Sequence, residues 1–118
     1  MTEKKPFDLE ERTFAYARDV RTLVKAVSKE SLAWEDIRQV IRSSGSVAAN
    51  YIEANESLSK KDFVLRLKIC RKEAKETKLW LSLLGFSEKD AKEQQRLVQE
   101  SSELVKIFNS IVNKNNLR

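Results

Sequence analysis

Apolar residues recur at spacings of three and four along almost the whole chain, which is the period of an amphipathic α-helix. The first stripe is Leu9, Thr13, Tyr16, Val20, Leu23, Val24 and Val27. Asp8 followed by Glu11 makes a capping-box-like start, with Pro6 just ahead of it. Together they predict a first helix over about 9–27, followed by a polar break at Ser28–Ser31. A second helix, about 32–56, carries Ile37, Val40, Ile41, Ser44, Val47, Ala48, Tyr51 and Ile52 on one stripe. Its middle, Ser43–Ala49 (SSGSVAA), is unusual for a helix interior because Ser and Gly are mediocre to poor helix formers. Small side chains there let a neighbouring helix come close.

Ser59 with Asp62 is a second cap signal. The third helix, about 60–84, runs Phe63, Leu67, Cys70, Ala74, Thr77, Leu81 and Leu84, a regular core seam, and Gly85 is a natural stop. Ser87 with Asp90 opens a fourth helix, about 88–112. Its stripe is Ala91, Gln94, Leu97, Val98, Ser101, Leu104, Val105, Phe108, Ile111 and Val112, and Asn113–Arg118 is expected to fray. Four helices with short connections predict a single all-α domain over 1–118, an antiparallel up-down-up-down four-helix bundle.

Composition agrees with helix and removes several chemistries. The 118 residues include two glycines, one proline, one cysteine and no histidine. Histidine acid–base catalysis, Glu-x-x-His di-iron sites and helical RNases built on an Arg…His pair are therefore excluded. An intrachain disulfide needs a second cysteine. A phosphate loop needs close glycines, whereas Gly45 and Gly85 lie far apart. No cofactor or metal is expected. No secretory signal pattern and no apolar stretch long enough for a membrane span is visible, so a soluble cytoplasmic protein is the expectation.

The third helix has a second apolar strip, Leu65, Ile69, Trp80 and Leu83, more than a quarter-turn from its core seam. One stripe suffices for an isolated bundle. The second is either the edge of a wide core or a subunit interface. Charge is concentrated on the same helix. Residues 59–86 hold eight basic and three acidic residues, a net of +5 that equals the net charge of the whole chain. Lys61, Lys68, Arg71, Lys72, Lys75 and Lys78 fall on its outer face. Arg18, Arg21 and Lys25 form a smaller strip on the first helix, with Phe14 among them and off that helix's core stripe. A lysine face can be merely solvated; the functional reading is a surface for phosphates, on which an outward aromatic could stack a base.

Antiparallel helices joined near Leu58 put residues level when their numbers sum to about 116. Arg42 then meets Glu73 and Glu76, Gln39 is level with Thr77, Ser46 with Cys70, and Asn50 with Arg66. Gln39, Arg42, Asn50, Glu73 and Glu76 are expected to form a structural polar layer that fixes register. Glu73 and Glu76 could also hold a metal, but an arginine within reach and the lack of histidine argue against it.

The segment Gln39–Ala54 (QVIRSSGSVAANYIEA) resembles the signature of the bacterial four-helix bundle proteins first named from open reading frames in intervening sequences of 23S ribosomal RNA genes. Ser59–Phe63 (SKKDF), Lys72–Leu81 (KEAKETKLWL) and the opening Asp8–Thr13 (DLEERT) are similar to that family too, so the likeness spans roughly residues 8–84. The first loop, Ala26–Glu30, lacks the family's Leu-Pro, and helix four carries no family motif.

The resemblance implies a bundle that assembles as a ring-like homopentamer around a central channel. It implies no enzyme activity. It also implies kinship with the accessory variability protein of diversity-generating retroelements, which resembles a basic barrel that binds nucleic acid and a reverse transcriptase. The expectation is therefore a non-enzymatic homo-oligomer that binds nucleic acid, RNA first, through the six cations of helix three with Arg18 and Arg21 as helpers. The rival expectation is a scaffold that docks a partner enzyme, a reverse transcriptase for instance, without touching nucleic acid.

Overall fold

The structure, a computed structural model, describes residues 8–27 and 31–116. Four helices make up the fold, with no strand among the described residues: α1 (Leu9–Val24), α2 (Ser31–Asn55), α3 (Lys60–Leu83) and α4 (Glu88–Asn116). α3 packs most extensively on α2 and α4, α1 packs on α2 and least on α4, and α1–α3 and α2–α4 form the diagonals.

The helix starts have local causes. The Asp8 carboxylate accepts the Glu11 N–H at 3.3 Å, and the Ser59 hydroxyl accepts the Asp62 N–H at 3.1 Å. Each satisfies a donor that the first turn leaves open. Ser87 works differently. Its hydroxyl donates to the Asp90 carboxylate, while its carbonyl accepts the N–H groups of Asp90 and Ala91.

The ends differ from the sequence expectation in four places. α1 stops at Val24 because the N–H groups of Ala26 and Val27 reach back only three residues, to Leu23 and Val24, which tightens the chain into a turn. Val27 stays buried all the same. The predicted break at Ser28–Ser31 falls outside the described residues at 28–30, and Ser31 already belongs to α2. α3 leaves its axis at Leu84, which turns extended, so Gly85 takes no left-handed conformation. The side-chain amide of Gln94 donates to the carbonyls of Leu81 and Leu84 at 2.8 and 3.1 Å, and so supplies partners that the end of α3 lacks. α4 runs four residues past Val112, to Asn116, where fraying was expected. The Asn115 amide donates to the Ile111 carbonyl, and Asn115 lies against the start of α3.

The core is a column of the predicted stripes, from Leu9, Tyr16 and Val20 through Val40, Val47, Leu67 and Leu81 to Leu97, Leu104 and Phe108. Ile52 is a correction: it is 51% exposed, and Ala54 is the buried residue at that end of α2. Tyr51 already fills the inward position, and the next residue is turned about 100° from it. On α3, Val64 is buried and Phe63 only half-buried.

Buried hydroxyls join the helices at mid-height. Tyr16 Oη lies 2.5 Å from Ser101 Oγ, and Ser43 Oγ lies 2.7 Å from Thr77 Oγ1. Ser101 and Thr77 also donate to carbonyls one turn back, at Leu97 and Glu73. α1 is thereby tied to α4 and α2 to α3, inside the core. The small residues of α2 have their reason here, since Ser43 meets Thr77 and the Cys70 thiol reaches the Val47 carbonyl at 3.5 Å.

Candidate nucleic-acid interface

The outward face of α3 is set by its core seam. With Leu67, Cys70, Ala74 and Leu81 fixed inward, the 100° step leaves Lys61, Leu65, Lys68, Lys72, Lys75, Leu79 and Leu83 facing out. Lys61, Lys68, Lys72 and Lys75 are exposed on this face; Lys78, expected there too, is exposed on the flank instead, one step on from buried Thr77. Lys61, Lys68, Lys75 and Lys78 make no ion pair among the described residues, and Lys72 makes one long one, 3.7 Å to Glu73. Arg71 is turned to the flank, where it donates to Asn109 of α4 at 2.7 Å. Between the start of α3 and the end of α4 the surface dips into a groove of about 670 Å³. Lys60, Lys61 and Lys68 line it with Leu65, Asn115 and one carboxylate, Asp62. Lys60 is the basic residue the sequence pattern did not single out. It lies beside Asn115 because α4 runs on to Asn116.

Arg18 and Arg21 are not part of this face. They sit on α1, diagonal to α3. Arg18 bonds Asp19 at 3.1 Å and lies over the Phe14 ring at 5.9 Å. Arg21 ties α1 to α2, donating to the carbonyls of Ala17 and Ile41 and to Ser44 Oγ.

The second apolar strip splits by exposure. Leu65 and Leu83 are 53% and 58% exposed, and Ile69 and Trp80 are half-buried. Trp80 Nε1 is buried with no partner among the described residues. Leu79, 50% exposed and absent from the sequence reading, joins them. Lysines and leucines thus share one face, and Leu65 lines the same groove as Lys61 and Lys68.

The polar layer between α2 and α3 has Arg42 at its centre. Its guanidinium donates to Glu73 at 3.2 and 3.5 Å, to Glu76 at 3.0 Å and to Gln39 at 3.4 Å. Glu73 above all holds the Arg42 guanidinium above its ordinary range. Gln39 therefore serves Arg42, and Thr77, level with it by the sequence count, pairs with Ser43 instead. Arg66 donates to Asn50 Oδ1 at 2.9 Å. Glu73 is buried, so replacing Arg42 by Ala leaves a carboxylate with Lys72 as its one ion-pair partner among the described residues. A fully buried pair broken this way costs 3–5 kcal/mol; with Arg42 half-exposed, about 2 kcal/mol is expected. Urea denaturation of Arg42→Ala checks the loss, and Arg42→Ala with Glu73→Gln should recover part of it. A midpoint equal to the parent's contradicts this role.

Among the described residues no group of three or more acidic or cysteine side chains could hold a metal ion, and no helix is long and apolar enough to cross a membrane.

Residues 6–110 match the family described as 23S rRNA-intervening sequence protein. Among solved structures, the chain is similar to a protein of unknown function from the S23 ribosomal protein family of Bacteroides thetaiotaomicron. The two are 28% identical, superpose with a TM-score of 0.76, and the match covers 87% of this chain and 96% of the other. No curated protein matches the chain.

Proposed function

This chain belongs to the 23S rRNA-intervening sequence protein family, and from that premise we propose that it is a non-enzymatic, homo-oligomeric bundle that binds nucleic acid, RNA first, through the lysine face of α3. The carrying observation is the set of exposed cations Lys61, Lys68, Lys75 and Lys78 on one helix, which have no counter-ion among the described residues. Cations left unpaired are free to replace the condensed counter-ions of a phosphate backbone. The helix pairings fit an antiparallel up-down-up-down arrangement, since Asn50 pairs with Arg66 and Arg42 with Glu73 and Glu76 on the same two helices. Cys70, the sole thiol, is buried, and burial pushes it up to about 12, so it supplies no thiolate nucleophile at neutral pH.

Fluorescence anisotropy against structured RNA and duplex DNA across a salt series tests the reading. The logarithm of the affinity should fall linearly with log salt, with a slope of about −3.6 if four phosphates of a duplex are neutralised. Absence of binding at low salt overturns it.

Assembly through Leu65, Ile69, Trp80 and Leu83 is the other half of the proposal; Ile69 and Trp80 lie on the side of these leucines away from Lys68 and Lys75, so a copy seated on that edge leaves the two lysines open. A face with three half-exposed leucines and a tryptophan is depleted of what water solvates well. Leu65→Asp should lower the mass seen by light scattering, and an unchanged mass places the interface elsewhere. The same leucines favour a second reading, a scaffold that docks a partner enzyme. Capture of that partner in high salt after nuclease treatment would support it.

A further inference from the structure

A second groove lies between α1 and α2, on the side of the molecule away from the α3 lysines. Phe14, Arg18, Arg21, Thr22, Lys25 and Gly45 line it, and its volume is about 460 Å³. Phe14 is 63% exposed, although a phenyl ring gains most from burial. The Arg18 guanidinium lies over that ring. Arg21 is held in place by bonds to both helices, at 3.0 Å to the Ala17 carbonyl and 3.2 Å to the Ile41 carbonyl. Gly45 permits this, because a Cβ there would sit 3.0 Å from Arg21 Nη2. The neighbouring carboxylates of α1 are engaged along its edges, Asp19 with Arg18 and with Arg96 of α4, and Glu10 with Asn55.

We propose that this groove takes an unpaired nucleobase, stacked on Phe14 and Arg18, with its phosphate beside Arg21 and Lys25. A ligand that fits must offer a flat π face and negative charge together. An apolar protein surface would have to strip water from three cations to reach the ring. A duplex keeps its base faces stacked on one another, so only a single strand, a loop or a bulge presents the required face. The inference rests on the nucleic-acid reading above and adds to it a preference for unpaired nucleotides.

The test uses the full chain, a short single strand carrying 2-aminopurine, and the matching duplex. The parent should quench the 2-aminopurine of the single strand. Phe14→Ala should abolish the quench and weaken single-strand binding about ten-fold, with duplex affinity unchanged. Phe14→Trp should restore both. Single-strand affinity and quench equal to the parent's in Phe14→Ala overturn the proposal. So does a lower oligomer mass for Phe14→Ala in light scattering, which would make the groove a subunit contact. A parent that binds neither strand removes the nucleic-acid reading as well. A parent that binds both strands, with Phe14→Ala indistinguishable from it, removes this proposal alone.

Discussion

Replacing Lys68, Lys72 and Lys75 together by Glu is expected to weaken nucleic-acid binding by two to three orders of magnitude and to leave the fold intact. The three side chains are exposed on consecutive turns of α3. The change moves the charge of that face by six units, and the whole chain from +5 to −1. Each lost phosphate contact removes close to one unit from the salt slope, and the introduced carboxylates add repulsion. Anisotropy against structured RNA at low salt reads the affinity. Stability should barely move, since Lys68 and Lys75 hold no ion pair among the described residues and Lys72 only a long one to Glu73. Circular dichroism checks that the helices remain. Unchanged affinity in a folded variant would make the lysines a solvated face and shift weight to the docking reading.

Much of the scaffold was legible because a helix repeats every 3.6 residues and its caps are local. The stripe from Leu9 to Val27 is buried throughout, and the caps at Asp8 and Ser59 form three residues from their partners. Arg42 meets Glu73 and Glu76 because the short turn near Leu58 fixes the offset between α2 and α3. Contacts between helices joined by no short turn were not legible. Tyr16 finds Ser101 through an axial offset that a stripe on one helix does not encode. Ile52 misled because a hydrophobic residue one step beyond Tyr51 extends the apparent stripe without facing the core. The end of α4 misled because Asn113–Asn116 has weak helix propensity, which packing beside the start of α3 overrides. The lysine face and the leucine strip were each visible as separate angles. That they meet in one groove at Lys61, Leu65 and Lys68 needs the third dimension.

The protein should lose stability steeply between pH 9 and 12, through Tyr16 and Cys70. Both are buried, and burial opposes the charged form. Tyr16 is pushed from its ordinary 10 up to about 12, with the hydroxyls of Ser101 and Thr77 offsetting part of the rise. Cys70 is pushed from 9 up to about 12, with Arg66 offsetting part of it. In the unfolded chain the two protons leave near 10 and 9, while the folded chain keeps them to about 12. Over that window the folded state binds more protons, so stability falls as pH rises, and below pH 9 it is fully present. At about 1.4 kcal/mol per unit, Tyr16 removes about 3 kcal/mol and Cys70 about 4 kcal/mol, against a total stability of typically 5–15 kcal/mol. Urea midpoints should therefore be level from pH 7 to 8.5 and collapse above pH 10. Tyr16→Phe with Cys70→Ala should start lower, because Ser101 loses a partner and the core a sulfur, yet fall much less through the same range, with Tyr51, which burial also pushes up, left to titrate. A parent whose midpoint stays level to pH 11.5, or a double variant that collapses in parallel with it, would show that these two buried groups do not set the alkaline limit of the bundle.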